Sequence, residues 1–158
     1  MPVIILKTLI DAPIERCFDL ARSIDLHLES MQRSAEKAIA GKMNGLIGLN
    51  ESVSWRAKHF GWQFTMISKI TAMRQPDFFV DEMTKGPFKN LKHQHLFKAI
   101  GMQTEMTDIF QFEAPFRVFG RLAEKVFLER YMEKLLLGRN GVIKLEAEGR
   151  KVKEQPGH

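Results

Sequence analysis

Apolar and polar residues alternate through the middle of the chain, and that alternation is the clearest guide to its structure. Val53, Trp55 and Ala57 alternate with Ser52, Ser54, Arg56 and Lys58, the mark of a strand with one face toward water. Gly61 supplies a turn, and Phe64, Met66, Ser68 and Ile70 then alternate with Gln63, Thr65, Ile67 and Lys69, which predicts a β-hairpin. Further on, Lys92, Gln94 and Lys98 assign one face of a strand to water, so His93, His95, Phe97 and Ala99 face in. Gly101 turns the chain into Thr104, Met106, Asp108, Phe110 and Phe112, the mainly apolar and therefore inner face of the next strand. Residues 78–84 form a strand of undecided register. Either Phe79, Asp81 and Met83 or Phe78, Val80 and Glu82 point inward, and an acidic residue enters the interior in both cases.

The pattern changes toward the two ends. Residues 3–10 are β-branched and aliphatic, a first strand stopped by Asp11-Ala12-Pro13. Asp11 is expected to cap a helix in which Pro13 fits the first turn and Ile14, Cys17, Phe18 and Ala21 form the buried face. A second short helix is predicted from Asp25 through Met31, then a short strand over residues 36–41. Gly45-Leu46-Ile47-Gly48 reads as a loop over a cavity mouth, and Gly86-Pro87 as a bulge or an edge. After Pro115, the residues Phe119, Ala123, Val126, Phe127, Tyr131, Leu135, Gly138 and Val142 trace a helical stripe, predicting a long helix over residues 116–147. Gly138 and Gly141 each cost that helix about 1 kcal/mol relative to alanine. They point to a frayed or kinked segment, or to close approach by sheet or ligand. Strands followed by one long amphipathic helix give an α+β class, a sheet gripping a helix with space between them.

Composition narrows the setting. A chain of 158 residues suits one domain, large enough to hold a pocket without disulfides. At 44% hydrophobic and 27% charged it reads as globular, with no apolar run near the ~18 residues that cross a bilayer. The opening Met-Pro-Val-Ile-Ile-Leu-Lys lacks a basic leader and cleavage site, and the lone Cys17 has no disulfide partner, so a cytoplasmic location is expected. Cys17 itself reads as a packed thiol. The net charge of +5 permits attraction to anions, but the basic residues are dispersed. Their densest group, Arg150-Lys151-Val152-Lys153, lies in a segment over residues 150–158 that is expected to be a disordered tail after a domain over residues 1–149. Neither a basic stripe nor interleaved exposed aromatics is present, so no nucleic-acid partner is expected. Phosphate-binding loops, dinucleotide fingerprints and paired-cysteine metal spacings are missing as well, and no cofactor is expected. Oligomeric state is left open.

The candidate chemistry lies on the inner faces of the strands. His93, His95 and Asp108 stand among aromatic and aliphatic side chains, an odd choice for a dry core that a small-molecule cavity explains better. His93-Gln94-His95 puts two imidazoles on one face about 7 Å apart at the backbone. With Asp108 on the next strand they could hold a metal, but such a pair more often serves as hydrogen-bonded cavity residues, and no metal is expected. His93 or His95 working with Asp108 is the candidate acid/base pair. The expected apolar walls are Trp55, Phe64, Met66, Phe79, Phe97, Met106, Phe110 and Tyr131, with His27 and His59 at the surface or rim.

Several segments together resemble the START-like or Bet v 1-like helix-grip superfamily, also called the SRPBCC domain. They are Ile10-Asp11-Ala12-Pro13-Ile14-Glu15-Arg16-Cys17-Phe18, Val53-Ser54-Trp55-Arg56-Ala57, Gly86-Pro87-Phe88 leading into His93-Gln94-His95-Leu96-Phe97, and Met106-Thr107-Asp108 before the long final helix. The likeness runs over residues 3–148. It implies a seven-stranded antiparallel sheet wrapped around the C-terminal helix, with two small helices after the first strand. It also implies a cavity of the kind that takes lipids, sterols, quinones, polyketides or hormones, with no universal catalytic residues to carry over. The leading expectation is therefore binding of a hydrophobic or amphipathic small molecule such as a lipid, quinone or polyketide-like compound. An aromatase, cyclase or dehydratase using a cavity histidine is the alternative, and a protein-partner module with a packed interior is the third. Stable membrane insertion is not expected.

Overall fold

The computed structural model describes residues 2–114 and 122–149, the side chains of 122–124 excepted. Strand β1 (Val3–Ile10) is followed by helices α1 (Ile14–Ala21) and α2 (Ile24–Ser30). Then come β2 (Lys37–Gly41), β3 (Ser52–His59), β4 (Trp62–Arg74), β5 (Phe78–Lys85), β6 (Asn90–Ile100), β7 (Gln103–Glu113) and helix α3 (Leu122–Ala147). The seven strands form one antiparallel sheet in the order β1-β7-β6-β5-β4-β3-β2. Consecutive strands from β2 to β7 are hairpin neighbours, while β1 pairs with the last strand, so α1 and α2 carry the chain from one edge of the sheet to the other.

Local chemistry sets the joints. The β3–β4 and β6–β7 hairpins turn at residues with positive φ, Phe60 and Gly61 in the first and Gly101 in the second. Gly41 is needed where β2 meets β3, because its φ is +74° and a Cβ there would strike the Ser52 carbonyl. Pro13 itself occupies the N-cap of α1 and no side chain caps it, so Asp11 does not take the capping role expected of it. Ser23 caps α2 by accepting from the Leu26 N–H at 3.2 Å, and this starts the helix at Ile24, one residue before the expected position. Gly86 and Pro87 lie in the β5–β6 connection, so the expected bulge or edge there is a turn.

Alternation is kept along β6 and β7. Leu91, His93, His95 and Phe97 are buried on one strand and Thr104, Met106, Asp108, Phe110 and Phe112 on the other. Ala99 is exposed, against expectation, although its cross-strand partner Thr104 is buried. On β5 the register is settled by pairing: Phe79 lies opposite His95 and Asp81 opposite His93, which sends Asp81 to the inner face.

Helix α3 has the expected period but a different phase. Leu136, Arg139, Asn140, Ile143 and Ala147 are buried and Leu128 and Met132 half-buried, whereas Phe127 is 58% exposed and Gly138 is exposed. The expected stripe through Val126, Phe127 and Gly138 is thus rotated by about one residue. Two polar side chains, Arg139 and Asn140, occupy the buried row. Phe119 and the start of the expected helix at 116 lie outside the described residues, as does the segment 150–158 read as a tail. Gly138 and Gly141 produce neither a break nor a close contact, since the helix is continuous through both and a Cβ at either would meet open space.

Packing divides into two apolar clusters. One centres on Phe18, whose ring meets Phe79 and Phe97 edge-on at 5.4 Å each, together with Trp55, Met106 and Ile143. The other joins Ile4, Leu91, Phe110, Phe112 and Leu136. A cavity touches both clusters.

Candidate functional site

The cavity encloses about 160 Å³ between the inner face of the sheet, α2 and the middle of α3. Trp55, Met66, Phe79 and Phe110 contribute its apolar surface from the sheet, and Leu135 and Leu136 from the helix. Asp81, His93, His95 and Arg139 form one polar wall, and His27, Glu36 and His59 also border the space.

Strand pairing builds that wall. His93 and His95 are two residues apart on β6 and share a face, while Asp81 on β5 and Asp108 on β7 flank them from either side. Asp108 is fully buried. His93 donates from Nε2 to Asp108 Oδ1 at 2.7 Å, and Asn140 of α3 donates from Nδ2 to Asp108 Oδ2 at 2.6 Å. Arg139 Nη1 lies 3.6 Å from Asp108 Oδ1, while Nη2 donates to the Ala21 carbonyl at 3.0 Å. His95 Nε2 is 3.0 Å from Asp81 Oδ2, and its Nδ1 faces Asp108 Oδ1 at 3.5 Å without a hydrogen bond. The rings are layered, with Phe79 stacked on His95 at 4.1 Å and His95 against His93 at 3.7 Å.

The electrostatics follow from burial and pairing. Burial alone would raise Asp108, but hydrogen bonding from His93, the adjoining His95 and the positive charge of Arg139 outweigh it and hold the carboxyl well below the usual range. Burial, reinforced by the adjacent His95, lowers His93 to about 4 despite the carboxylate beside it. The pair is therefore an ionised carboxylate receiving an N–H from a neutral imidazole at mid-range pH. Burial would raise Asp81 as well, but its hydrogen bond to His95 and the neighbouring imidazoles and Arg139 outweigh it and lower the carboxyl. At the rim, burial lowers His59, whose Nδ1 is 2.6 Å from the Tyr131 hydroxyl, and raises Tyr131 itself. His27 pairs with Glu36 at 2.8 Å and leans on Trp55 with centroids 4.5 Å apart.

Of the residues singled out by sequence, Trp55, Met66, Phe79, Phe110, His93 and His95 line the cavity together. Asp108 lies behind His93, bonded to it and not facing the space. Phe97 and Met106 pack into the core around Phe18. Phe64 sits 6.2 Å from the His59 ring, and Tyr131 caps His59 at the rim, so neither forms the lining. Sequence reasoning left out Arg139, Asn140 and Glu36. One signal for the first two was available, since Leu128, Met132, Leu136, Ile143 and Ala147 also form a helical row, and residues 139 and 140 fall in phase with it. Among the described residues, Asp81, His93 and His95 could hold a metal ion.

No family model matches the sequence, and a search of curated proteins gives no match. Solved structures do match, along nearly the whole chain. A START superfamily protein from Mycobacterium smegmatis aligns with a TM-score of 0.71 at 9% identity, covering 93% of this chain and 97% of its own. The protein TTHA0849 from Thermus thermophilus gives 0.70 at 18% identity, over 90% and 97% of the two chains. Ginseng major latex-like protein 151 from Panax ginseng gives 0.64 at 14% identity, over 92% and 97%. The chain has the START-like, Bet v 1-like helix-grip fold: a seven-stranded antiparallel sheet, two short helices after the first strand and one long C-terminal helix. At these identities the likeness is one of fold.

Proposed function

We propose that the protein binds a small amphipathic molecule in this cavity, its apolar part among Trp55, Met66, Phe79 and Phe110 and its polar part against Asp81, His95 and Arg139. The observation that carries the reading is the mixed lining of the cavity, in which aromatic and aliphatic side chains adjoin a hydrogen-bonded polar group of Asp81, His95 and Arg139. Its volume limits the guest. A space of about 160 Å³ is comparable to the roughly 150 Å³ that accepts benzene and falls short of the roughly 300–1,000 Å³ of drug-sized sites. A ligand of one or two rings fits this form, while a long lipid or polyketide requires the walls to part. The helix-grip likeness supports a binding role, and a cytoplasmic setting is part of the proposal. Among the described residues no helix is long and apolar enough to cross a membrane.

The hydrogen bond between Asp81 and His95 favours a second reading, an acid/base enzyme of the cyclase or dehydratase kind with His95 facing the substrate and Asp81 orienting it. A partner module with a packed interior fits less well, because the interior holds a cavity. Trp55 provides the test. Its indole donates to Ser68 at the cavity wall, whereas Trp62 is 73% exposed on a hairpin. In a fragment screen by NMR, single-ring amphiphiles should shift the Trp55 indole resonance and leave Trp62 in place. Absence of any Trp55 response across the screen, together with a ligand-free native mass, would sink the proposal. Turnover of a bound fragment that disappears in His95→Gln would favour the enzyme.

A further inference from the structure

We propose that Asp81, His93 and His95 form a binding site for a first-row divalent metal ion of the zinc or ferrous type, set in the polar wall of the cavity and oriented from behind by Asp108. The proposal goes beyond small-molecule binding and does not require it.

Geometry comes first. Each of the three side chains offers one donor atom, and these atoms lie within 4.8 Å of one another. Ligands held about 2.0–2.2 Å from an ion stand roughly 3.0–3.5 Å apart at octahedral or tetrahedral angles. Asp81 Oδ2 and His95 Nε2 have that spacing already, at 3.0 Å. All three residues sit on the paired strands β5 and β6, Asp81 directly opposite His93 and His95 two residues along from it.

Proton bookkeeping gives an independent reason. An ionised carboxylate only accepts hydrogen bonds, so the 2.7 Å contact to Asp108 puts the His93 proton on Nε2 and leaves the lone pair of the neutral ring on Nδ1. His95 is bracketed by two carboxylates, Asp81 at 3.0 Å and Asp108 at 3.5 Å. Its Nδ1 is buried without a hydrogen bond, 3.5 Å from Asp108 Oδ1. A cation between Asp81 and His95 Nε2 would leave Nδ1 as the N–H donor, aimed at Asp108. Asp108 then backs both imidazoles, in the carboxylate–histidine–metal arrangement that fixes tautomer and ring orientation.

Charge and ligand type point the same way. Asp81 and Asp108 set two carboxylates beside the one guanidinium of Arg139, a grouping that favours a further cation. Two imidazoles with one carboxylate suit zinc or iron(II) better than calcium or magnesium, which prefer oxygen. Three protein ligands also leave a coordination position open toward the cavity.

The test uses tag-free, full-length protein stripped with chelator and titrated with zinc chloride or cobalt(II) chloride by calorimetry and visible absorption. One equivalent should bind with micromolar or tighter affinity. Cobalt should develop the absorption of a nitrogen- and oxygen-ligated site. Asp81→Asn keeps the side chain's volume at a half-exposed position and should fold, yet weaken zinc by at least about 100-fold. Asp108→Asn acts through the histidines and should weaken zinc by roughly 10–100-fold. His27→Gln, on the Glu36 pair at the rim, should leave affinity unchanged. Binding unaltered by Asp81→Asn and His95→Gln would overturn the proposal by placing the ion elsewhere. So would absence of binding with both His95 ring nitrogens protonated in the ¹⁵N spectrum, since the balancing cation would then be a proton. Neither result touches the Trp55 fragment response, so the two readings fail separately.

Discussion

Exchanging Asp108 and Asn140 tests whether the buried polar cluster works as described. Asp108 is fully buried with donors converging on both oxygens, from His93 at 2.7 Å and from Asn140 at 2.6 Å. In Asp108→Asn the shape survives, but one acceptor becomes an NH₂ that must face one of those donors, at about 1–3 kcal/mol for an unmet buried group. Arg139 also loses its counter-charge, and breaking a buried pair in this way costs about 3–5 kcal/mol. The two effects overlap, so a loss of about 3–5 kcal/mol is expected overall. Asn140→Asp alone sets two carboxylates against each other and is destabilising as well, because they must share a proton. In the double variant the donor and acceptor between positions 108 and 140 simply change places. Arg139, whose Nη1 is already 3.2 Å from Asn140 Oδ1, gains a carboxylate there. Urea unfolding of the four proteins at neutral pH, after chelator treatment, should give a coupling energy of at least about 1.5 kcal/mol. If a single variant does not fold, a folded double variant shows the same recovery. Strict additivity, or an Asp108→Asn cost below about 1 kcal/mol, would refute the reasoning.

Three other outcomes follow from particular positions. In metal-free protein, stability should fall as pH drops from about 6.5 toward 4, because unfolded His93 takes up a proton that the folded state refuses until about 4. At about 1.4 kcal/mol per pH unit the loss approaches 3 kcal/mol. His93→Gln, which keeps an Nε donor for Asp108, should flatten the slope in urea titrations, and an equally steep slope in that variant would contradict the assignment. Gly138→Ala and Gly141→Ala should each stabilise by up to about 1 kcal/mol, since both sit in α3 with open space for a Cβ; no gain in denaturant midpoint would mean the helix is not continuous there in solution. Cys17 is fully buried and its thiol is pushed up chiefly by that burial, so iodoacetamide at pH 8 should label it only when denaturant is added. Rapid labelling of native protein would contradict the packing of α1.

The strands that build the site were the most legible part of the sequence. Lys92 and Gln94 on one strand and Glu105 and Thr107 on the next fix the outer faces, and His93, His95 and Asp108 go inward by alternation. Asp81 was not decidable, because Phe78 and Val80 compete with Phe79 and Met83 as an apolar face, and the choice is made by pairing with β6. Helix phase was misread for a related reason. Phe127 and Tyr131 look like core residues, but on the folded chain they meet Phe60 at the surface, while Arg139 and Asn140 are drawn inward by a carboxylate 32 residues from Asn140 in the chain. Local periodicity contains no information about such a partner. The His27–Glu36 pair was hidden for the same reason, since it depends on how α2 settles against Trp55.

The polar cluster is more than the fold requires. On either side of it α3 contributes Leu136 and Ile143 to ordinary apolar packing, and a buried ion pair is often neutral or inferior in stability to well-packed hydrophobic residues of similar volume. Helix attachment at that level has other support, since Arg16 of α1 donates to the carbonyls of Ala147 and Glu146 at 2.9 and 2.8 Å. Yet Asp81, His93, His95, Asp108, Arg139 and Asn140 are gathered where the sheet, the helix and the cavity meet, one imidazole nitrogen is left without a hydrogen bond, and two carboxylates are set against one guanidinium. An arrangement that costs desolvation and leaves a buried atom unsatisfied is poorly explained as scaffolding. On the reading proposed above it is the wall of a ligand site, presented to the cavity by Asp81, His95 and Arg139 and held from behind by Asp108.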